Sequence, residues 1–259
     1  MNSTYKNLAK PTIILQARIG SKRFPKKVLS KIENKPMIWY SIERIKKIHG
    51  IKQVILATTK NSQDKILLRI AKDCNILSFT GKTCDVLDRY YQCAIEFDAD
   101  PIIRITGDCP LIDSVIIKKM LDKYMKNDYD YLTNTFPPTF PDGLDVEIFS
   151  FKTLQKIVRE AKLSSEKEHV TSYIHNHPKK LNIFNYENRI DLSKFRWTVD
   201  EKRDLTLVKK IYKKMKPKVN FSMQTILKII SEEPNISKIN SNISRNEGYA
   251  RSVKRDKLN

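Results

Sequence analysis

Thr12-Ile13-Ile14-Leu15-Gln16-Ala17-Arg18-Ile19-Gly20-Ser21-Lys22-Arg23-Phe24-Pro25-Lys26-Lys27-Val28-Leu29 is the stretch from which the fold is read. It opens with an apolar run, as a buried strand does. It then turns polar at once through Gly20, Ser21, four basic residues and Pro25. A loop that follows the first strand of an α/β sheet lies at the carboxyl edge, where such sheets bind ligands. Backbone N–H groups near Gly20 and Ser21 can meet phosphate oxygens, and Arg18, Arg23 and Lys27 can neutralise several negative charges. A solvated basic loop is the competing reading. The Walker A pattern G-x-x-x-x-G-K-[ST] is absent.

Working outward, strand and helix patterns alternate at short spacing. Pro36 opens a helix running to Ile48, with apolar residues at 38, 41/42, 45 and 48 on one face. Strands are expected at Gln53–Thr58, Ile76–Phe79 and Pro101–Thr106, and helices at Gln63–Lys72, Asp85–Phe97 and Asp113–Met125, the last with Asp113 as its N-cap. Such alternation implies right-handed crossovers and a mostly parallel sheet. No G-x-G-x-x-G marks a dinucleotide site. The second half is less regular. Tyr129–Thr133, Leu144–Phe149, Leu181–Tyr186 and Arg196–Val199 read as strands, and Asn134–Gly143 reads as a loop. Phe151–Glu160, Glu166–His177, Leu205–Met215 and Met223–Glu232 read as helices. One domain over residues 1–234 is expected, with residues 134–188 as a smaller insertion. The polar, basic tail 235–259 is expected to be irregular.

The chain has 259 residues, enough for one large α/β domain or two small ones. Lys and Arg outnumber Asp and Glu by 49 to 29, a net charge of +20 that favours polyanionic partners. The excess is spread along the chain. Nucleic-acid binding needs a basic face interleaved with aromatics, and the aromatics here fall in strands or on apolar helix faces. Cys74, Cys84, Cys93 and Cys109 form no C-x-x-C pair, which argues against zinc. Residues 1–10 lack the apolar core of a secretion signal. No apolar run approaches the ~20 residues of a membrane span. A cytoplasmic protein with reduced thiols is expected.

Several acids stand where chemistry is done. Asp108 follows the Pro101–Thr106 strand, and Gly107 before it permits a tight turn and a close ligand. A Gly-Asp turn is also a common turn former. Asp200 precedes a helix and can cap it. Asp85 can do the same, with Arg89 as a surface cation. Asp145 and Glu147, two apart on a strand, share a face. They can grip an acceptor group or meet basic residues across the sheet. A two-carboxylate glycosidase is another use of such acids, and the phosphate-type loop speaks against it.

Arg18-x-x-Ser21-x-Arg23-Phe24-Pro25-x-Lys27-x-Leu29 resembles the first signature of the sugar cytidylyltransferases, which activate an acidic sugar with CTP. The match is with the group named for spore coat polysaccharide biosynthesis protein F, related to the CMP-KDO and CMP-nonulosonate synthetases. Lys26 departs from it, since many relatives carry Gly there. Gly107-Asp108-x-Pro110-Leu111-Ile112 resembles the second signature, whose Asp binds the catalytic metal. Asp200, followed by Asp204-Leu205, resembles the third and completes the metal site. Asp85-Val86-Leu87-x-Arg89, Phe140–Glu147 and Glu168-His169-Val170-Thr171 are similar to segments of the same group.

The resemblance covers about residues 11–210. It implies an α/β fold of the three-layer α/β/α, nucleotide-diphospho-sugar transferase-like kind, with a mixed, mostly parallel sheet. It also implies transfer of CMP from CTP to an acidic sugar or phosphorylated acceptor, with release of pyrophosphate, in surface polysaccharide or glycan synthesis. Ala17, Arg18, Gly20, Ser21, Arg23, Lys27, Asp85, Arg89, Thr106 and Gly107 would bind the nucleotide. Arg18, Lys27 and Asp108 would be catalytic. Asp108 and Asp200 would hold Mg²⁺. Asp142, Asp145, Glu147, His169 and Arg196 would contact the acceptor. Relatives often pair as dimers. The rivals are a glycosyltransferase on the same kind of fold, which would release a nucleotide and not pyrophosphate, and a basic nucleic-acid-binding protein.

Overall fold

The computed structural model describes residues 9–21 and 23–256. Strand β1 (Thr12–Gln16) runs into the basic loop, which ends in a single 3₁₀ turn at Lys27–Leu29. A small hairpin, β2 (Lys31–Ile32) and β3 (Lys35–Pro36), leads to α1 (Met37–Ile45). Then come β4 (Gln53–Thr59), α2 (Lys65–Asp73), β5 (Leu77–Gly81), α3 (Val86–Glu96), β6 (Ile102–Thr106) and α4 (Ser114–Met125). The second half holds β7 (Tyr131–Thr133), β8 (Glu147–Phe149), α5 (Phe151–Glu160), α6 (Ser164–His169), α7 (Ser172–Asn176) and β9 (Ile183–Asn185). Last come α8 (Lys202–Met215), α9 (Met223–Glu232), α10 (Asn235–Lys238) and α11 (Glu247–Asp256).

Seven strands form one sheet in the order β5-β4-β1-β6-β8-β7-β9. Parallel pairing joins β5, β4, β1 and β6, and β7 pairs parallel with β9; β8 alone among these strands runs against its neighbours. Chain order reverses at β1, so the crevice beyond β1 and β6 is where a ligand fits. Register brings the two loops together there. Gln16 pairs with Thr106, and the Gly107 N–H donates to the Gln16 carbonyl at 2.8 Å. A Cβ on Gly107 would stand 2.9 Å from the Ala17 Cβ, so only glycine permits this approach.

Alternation along β1 divides the core into two layers. Ile13 and Leu15 pack with α1, α2, α4, α8 and α9 through Ile38, Ile42, Leu67, Ile117, Val208 and Ile226. Ile14 faces the other way, onto α3, α5 and α7 through Leu87, Tyr90, Leu154, Ile157 and Ile174. Each such side chain contributes about 1.5–3 kcal/mol by leaving water. The result is the three-layer α/β/α arrangement with a mixed, mostly parallel sheet.

Four local expectations fail, each for a reason outside the local pattern. Leu144–Val146 does not join the ladder: the Asn134 amide replaces it, donating to the Leu144 carbonyl and accepting from the Val146 N–H. Arg196–Val199 is not a strand either. It runs between two loops, with Trp197 and Thr198 donating to the Asp142 carbonyl and Val199 to the Asp108 carbonyl. Gly143, at φ +104, makes room for it: a Cβ there would lie 2.5 Å from the Thr198 nitrogen. The helix expected over Glu166–His177 breaks at Val170, which has φ 57, into α6 and α7. The segment from Asn235, expected to be irregular, carries α10 and α11 as far as it is described, to residue 256. Long-range polar bonds hold it. Asn240 donates to the Arg196 carbonyl and to Asp204, Arg245 donates to Asp145, and Ser252 donates to Glu168.

Candidate active site

Lys27 is the centre of the site. The loop after β1 is tied down first: the Ile19 N–H donates to buried Asp64 at 2.7 Å, and the Lys26 N–H to the Ile19 carbonyl at 3.2 Å. Lys26 turns the chain at φ 58. That left-handed conformation is one glycine adopts more readily than lysine. The 3₁₀ turn then aims Lys27 inward. Its Nζ lies 2.8 Å from Asp108 Oδ2 and 2.7 Å from Asp200 Oδ1. Burial alone would lower the Lys27 pKa, but the two carboxylates outweigh it and hold it above its usual value. Asp108 is driven the other way: burial would raise it, and the Lys27 charge and hydrogen bond bring it down to about 2.

Asp200 is placed by its neighbours. Arg23 meets its Oδ2 at 2.8 Å and Arg196 at 3.1 Å. Arg196 itself is buried and also grips Asp142 at 2.7 Å and Asp204 at 3.1 Å. Asp204 is fully buried and caps α8 by accepting from the Asp200 and Glu201 N–H groups at 2.9 Å. It therefore fixes both the guanidinium and the aspartate beside it.

A cavity of about 530 Å³ opens from this cluster. Arg23, Thr106, Asp108, Asp142, Arg196, Asp200 and Glu247 line the end nearest the loop, while Asp145, Glu147, His169 and Tyr249 line the rest. Burial and the neighbouring Asp145 charge push Asp142 up to about 7, although Arg196 is bonded to it. Asp145 pairs with Arg245 at 2.5 Å. Glu147 accepts from Arg104, Tyr131 and Thr171. His169 shares a 3.0 Å bond with Ser252 and meets Tyr249 edge-on at 5.3 Å. Burial lowers the pKa of His169 and of His175.

Of the residues expected at the site, Arg23, Lys27, Asp108 and Asp200 meet in one cluster. Asp142, Asp145, Glu147, His169, Thr106 and Arg196 gather around the adjoining cavity. Ala17 and Gly107 make the close strand-end contact, and Gly20 and Ser21 lie on the loop, with Arg18 exposed. Asp85 and Arg89 stand apart from the cavity. Asp85 caps α3 by accepting from Asp88, and buried Arg89 braces the preceding loop through the Lys82 and Thr83 carbonyls. Sequence reasoning missed Arg104, Asp204, Asn240, Arg245 and Tyr249. Asp204 lay in a quoted motif; the others carry no local signal.

The two aspartates suit a small, hard cation. They are oxygen donors at the cavity edge, bridged here by the Lys27 ammonium, with the Cys109 thiol 3.6 Å from Asp108 Oδ1. Among the described residues no group of three or more His, Cys, Asp or Glu side chains could hold a metal. Two carboxylates match an ion that completes its shell with phosphate oxygens and water, as Mg²⁺ does.

Comparison with known proteins finds similarity along most of the chain. A family model described as cytidylyltransferase matches residues 12–245. An uncharacterized protein of Methanocaldococcus jannaschii is 33% identical over 91% of this chain and 96% of its own. Spore coat polysaccharide biosynthesis protein SpsF of Bacillus subtilis is 27% identical over 85% of this chain and 94% of its own. Among solved structures, a cytidylyltransferase from Leptospira borgpetersenii superposes with a TM-score of 0.86 at 33% identity, covering 91% of this chain and 98% of that one.

Proposed function

Because the chain belongs to the cytidylyltransferase family and is a CTP-dependent nucleotidyltransferase, we propose that it transfers CMP to an acidic sugar for polysaccharide synthesis. SpsF, by its name, serves spore coat polysaccharide biosynthesis. A further relative, 30% identical over 61% of this chain and 58% of its own, is named a 3-deoxy-manno-octulosonate cytidylyltransferase. The observation that carries the reading is the Lys27 ammonium held between Asp108 and Asp200, at the cavity edge and beside the phosphate-type loop.

In this reading Arg18, Arg23 and Lys27 bind the triphosphate, with the Gly20–Ser21 backbone beneath it. An acceptor hydroxyl, held in the cavity, attacks the α-phosphorus in line. The α–β bridging P–O bond breaks, pyrophosphate leaves, and the hydroxyl proton is released. Asp108 and Asp200 would hold Mg²⁺, which would neutralise charge on the departing pyrophosphate. Positioning and charge neutralisation then supply the rate. No covalent intermediate on the protein is required. Asp142, Asp145, His169 and Arg196 shape the acceptor side.

A cytoplasmic location goes with this reading, supported by four unpaired cysteines. Among the described residues, no helix is long and apolar enough to cross a membrane. The test is a pyrophosphate-release screen of the four nucleoside triphosphates against 3-deoxy-manno-octulosonate and nonulosonic acids. Release with CTP and one of these acids is expected. Release of a free nucleotide from a preformed nucleotide sugar, without pyrophosphate from CTP, would establish the glycosyltransferase reading instead.

A further inference from the structure

Arg104 lies in β6 on the wall of the cavity, with its side chain 14% exposed. Its Nη1 donates to Glu147, while its Nε is buried without a hydrogen-bond partner. A guanidinium has five N–H donors, and among the described residues Glu147 is its one hydrogen-bonded acceptor. An unmade hydrogen bond on a charged group is costly, and the spare Nη donors at the cavity wall can meet a ligand, while the sealed Nε cannot. Glu147 is itself kept ionised, its other oxygen accepting from the Tyr131 and Thr171 hydroxyls, so it pairs with one edge of the guanidinium and leaves the other donors unbonded. The Tyr90 ring lies under the guanidinium at 5.9 Å and steadies it.

The neighbouring wall completes the picture. Thr171, Ser172, His175 and Asn176 line it, all hydrogen-bonding and uncharged once burial has lowered the His175 pKa. Of the other cavity-lining cations, Arg23 stands at the loop end, where the proposed reaction uses it for the triphosphate, and Arg196 is held by three aspartates.

We propose that Arg104 binds the carboxylate of the acceptor sugar, with the acceptor's hydroxyls along Thr171–Asn176, and so determines which acids are accepted. This rests on the acidic-sugar reading above. It adds a specificity-determining residue that the sequence motifs do not contain.

The test is calorimetric. 3-Deoxy-manno-octulosonate, N-acetylneuraminate and their carboxamides are titrated into the full chain, with and without a non-hydrolysable CTP analogue. At least one acid should bind about tenfold or more tighter than its amide, as a charge-assisted pair does. Arg104→Gln should bring the two within about twofold of each other. That variant leaves Glu147 buried without its cation, so Arg104→Gln/Glu147→Gln, which removes both charges, is measured beside it and should behave alike. Glu147→Gln alone should keep the preference for the acid. Equal binding of acid and amide by the unaltered chain, no binding of either, or a preference that survives both Arg104 variants overturns the proposal. Acid binding through Arg104 without pyrophosphate release on adding CTP would leave this assignment standing and overturn the proposed reaction.

Discussion

The two ends of the cavity are built in different ways. The loop end is built on strand ends: the loop after β1 carries Lys27 and the turn after β6 carries Asp108, brought side by side by parallel pairing, with Asp200 and Arg196 added from farther along the chain. The far end is assembled from segments distant in the chain, such as Arg245 on Asp145, Ser252 on His169 and Thr171 on Glu147. The first kind of site is fixed by the sheet itself. The second depends on polar contacts that form only after the sheet exists, so it should be easier to alter and easier to loosen.

The largest expected effect tests the loop end. Asp108→Asn keeps the shape but loses the charge, and turnover should fall about 10²–10³-fold, by analogy with loss of an oxyanion-hole donor. Steady-state kcat with saturating CTP measures this, and turnover within about threefold of the unaltered chain would break the assignment. Asp204→Ala comes next. It strips Arg196 of one of its carboxylates and α8 of its cap, so unfolding free energy should drop by about 3 kcal/mol in denaturant titration.

The pH response should be smaller. Asp108 has a folded pKa of about 2, below the ordinary carboxylate value of about 3.9. A depressed carboxylate stabilises the fold above its unfolded pKa and loses that contribution as pH falls through the folded value. About 2 kcal/mol should therefore disappear between roughly pH 4 and pH 2, and Asp108→Asn should remove that part of the stability curve. At the far end, Tyr249→Ala removes the edge-on contact with His169, worth about 1 kcal/mol. Amide exchange in α11 should quicken while β1 stays protected; equal quickening in both would show that the two ends are one cooperative unit. The smallest effect is Lys26→Gly, which relieves a left-handed residue and should raise stability by less than about 1 kcal/mol in a melt.

Legibility in the sequence follows the same division. Met223–Glu232 was readable to its ends, and Asp113 was readable as a cap, because helix period and capping are local; Asp85, expected at the nucleotide, caps α3. The cluster of Lys27, Asp108 and Asp200 was readable because each residue sits in a compact motif at a strand end or before a helix. Asn134 was not readable as a substitute for a strand ladder, since its partners lie 10 and 12 residues on. Nor was the tail. Its helices carry few apolar residues, and what orders them is partners such as Arg196, Asp145 and Glu168, far back in the chain. Arg104 read as one more strand residue, and its spare donors are visible only once Glu147 lies beside it.

The reversal of β8 has a consequence for how such a protein can change. A strand that follows the common direction brings only the loop at its exit to this rim; β8, running the other way, brings the loop at its entrance. Asp142 and Asp145 reach the rim by that route, from a connection independent of those carrying Lys27 and Asp108. Rewriting that connection outside Asp142, which holds Arg196 and the segment before Asp200, can therefore retune what enters the cavity while Lys27 and Asp108 stay in place.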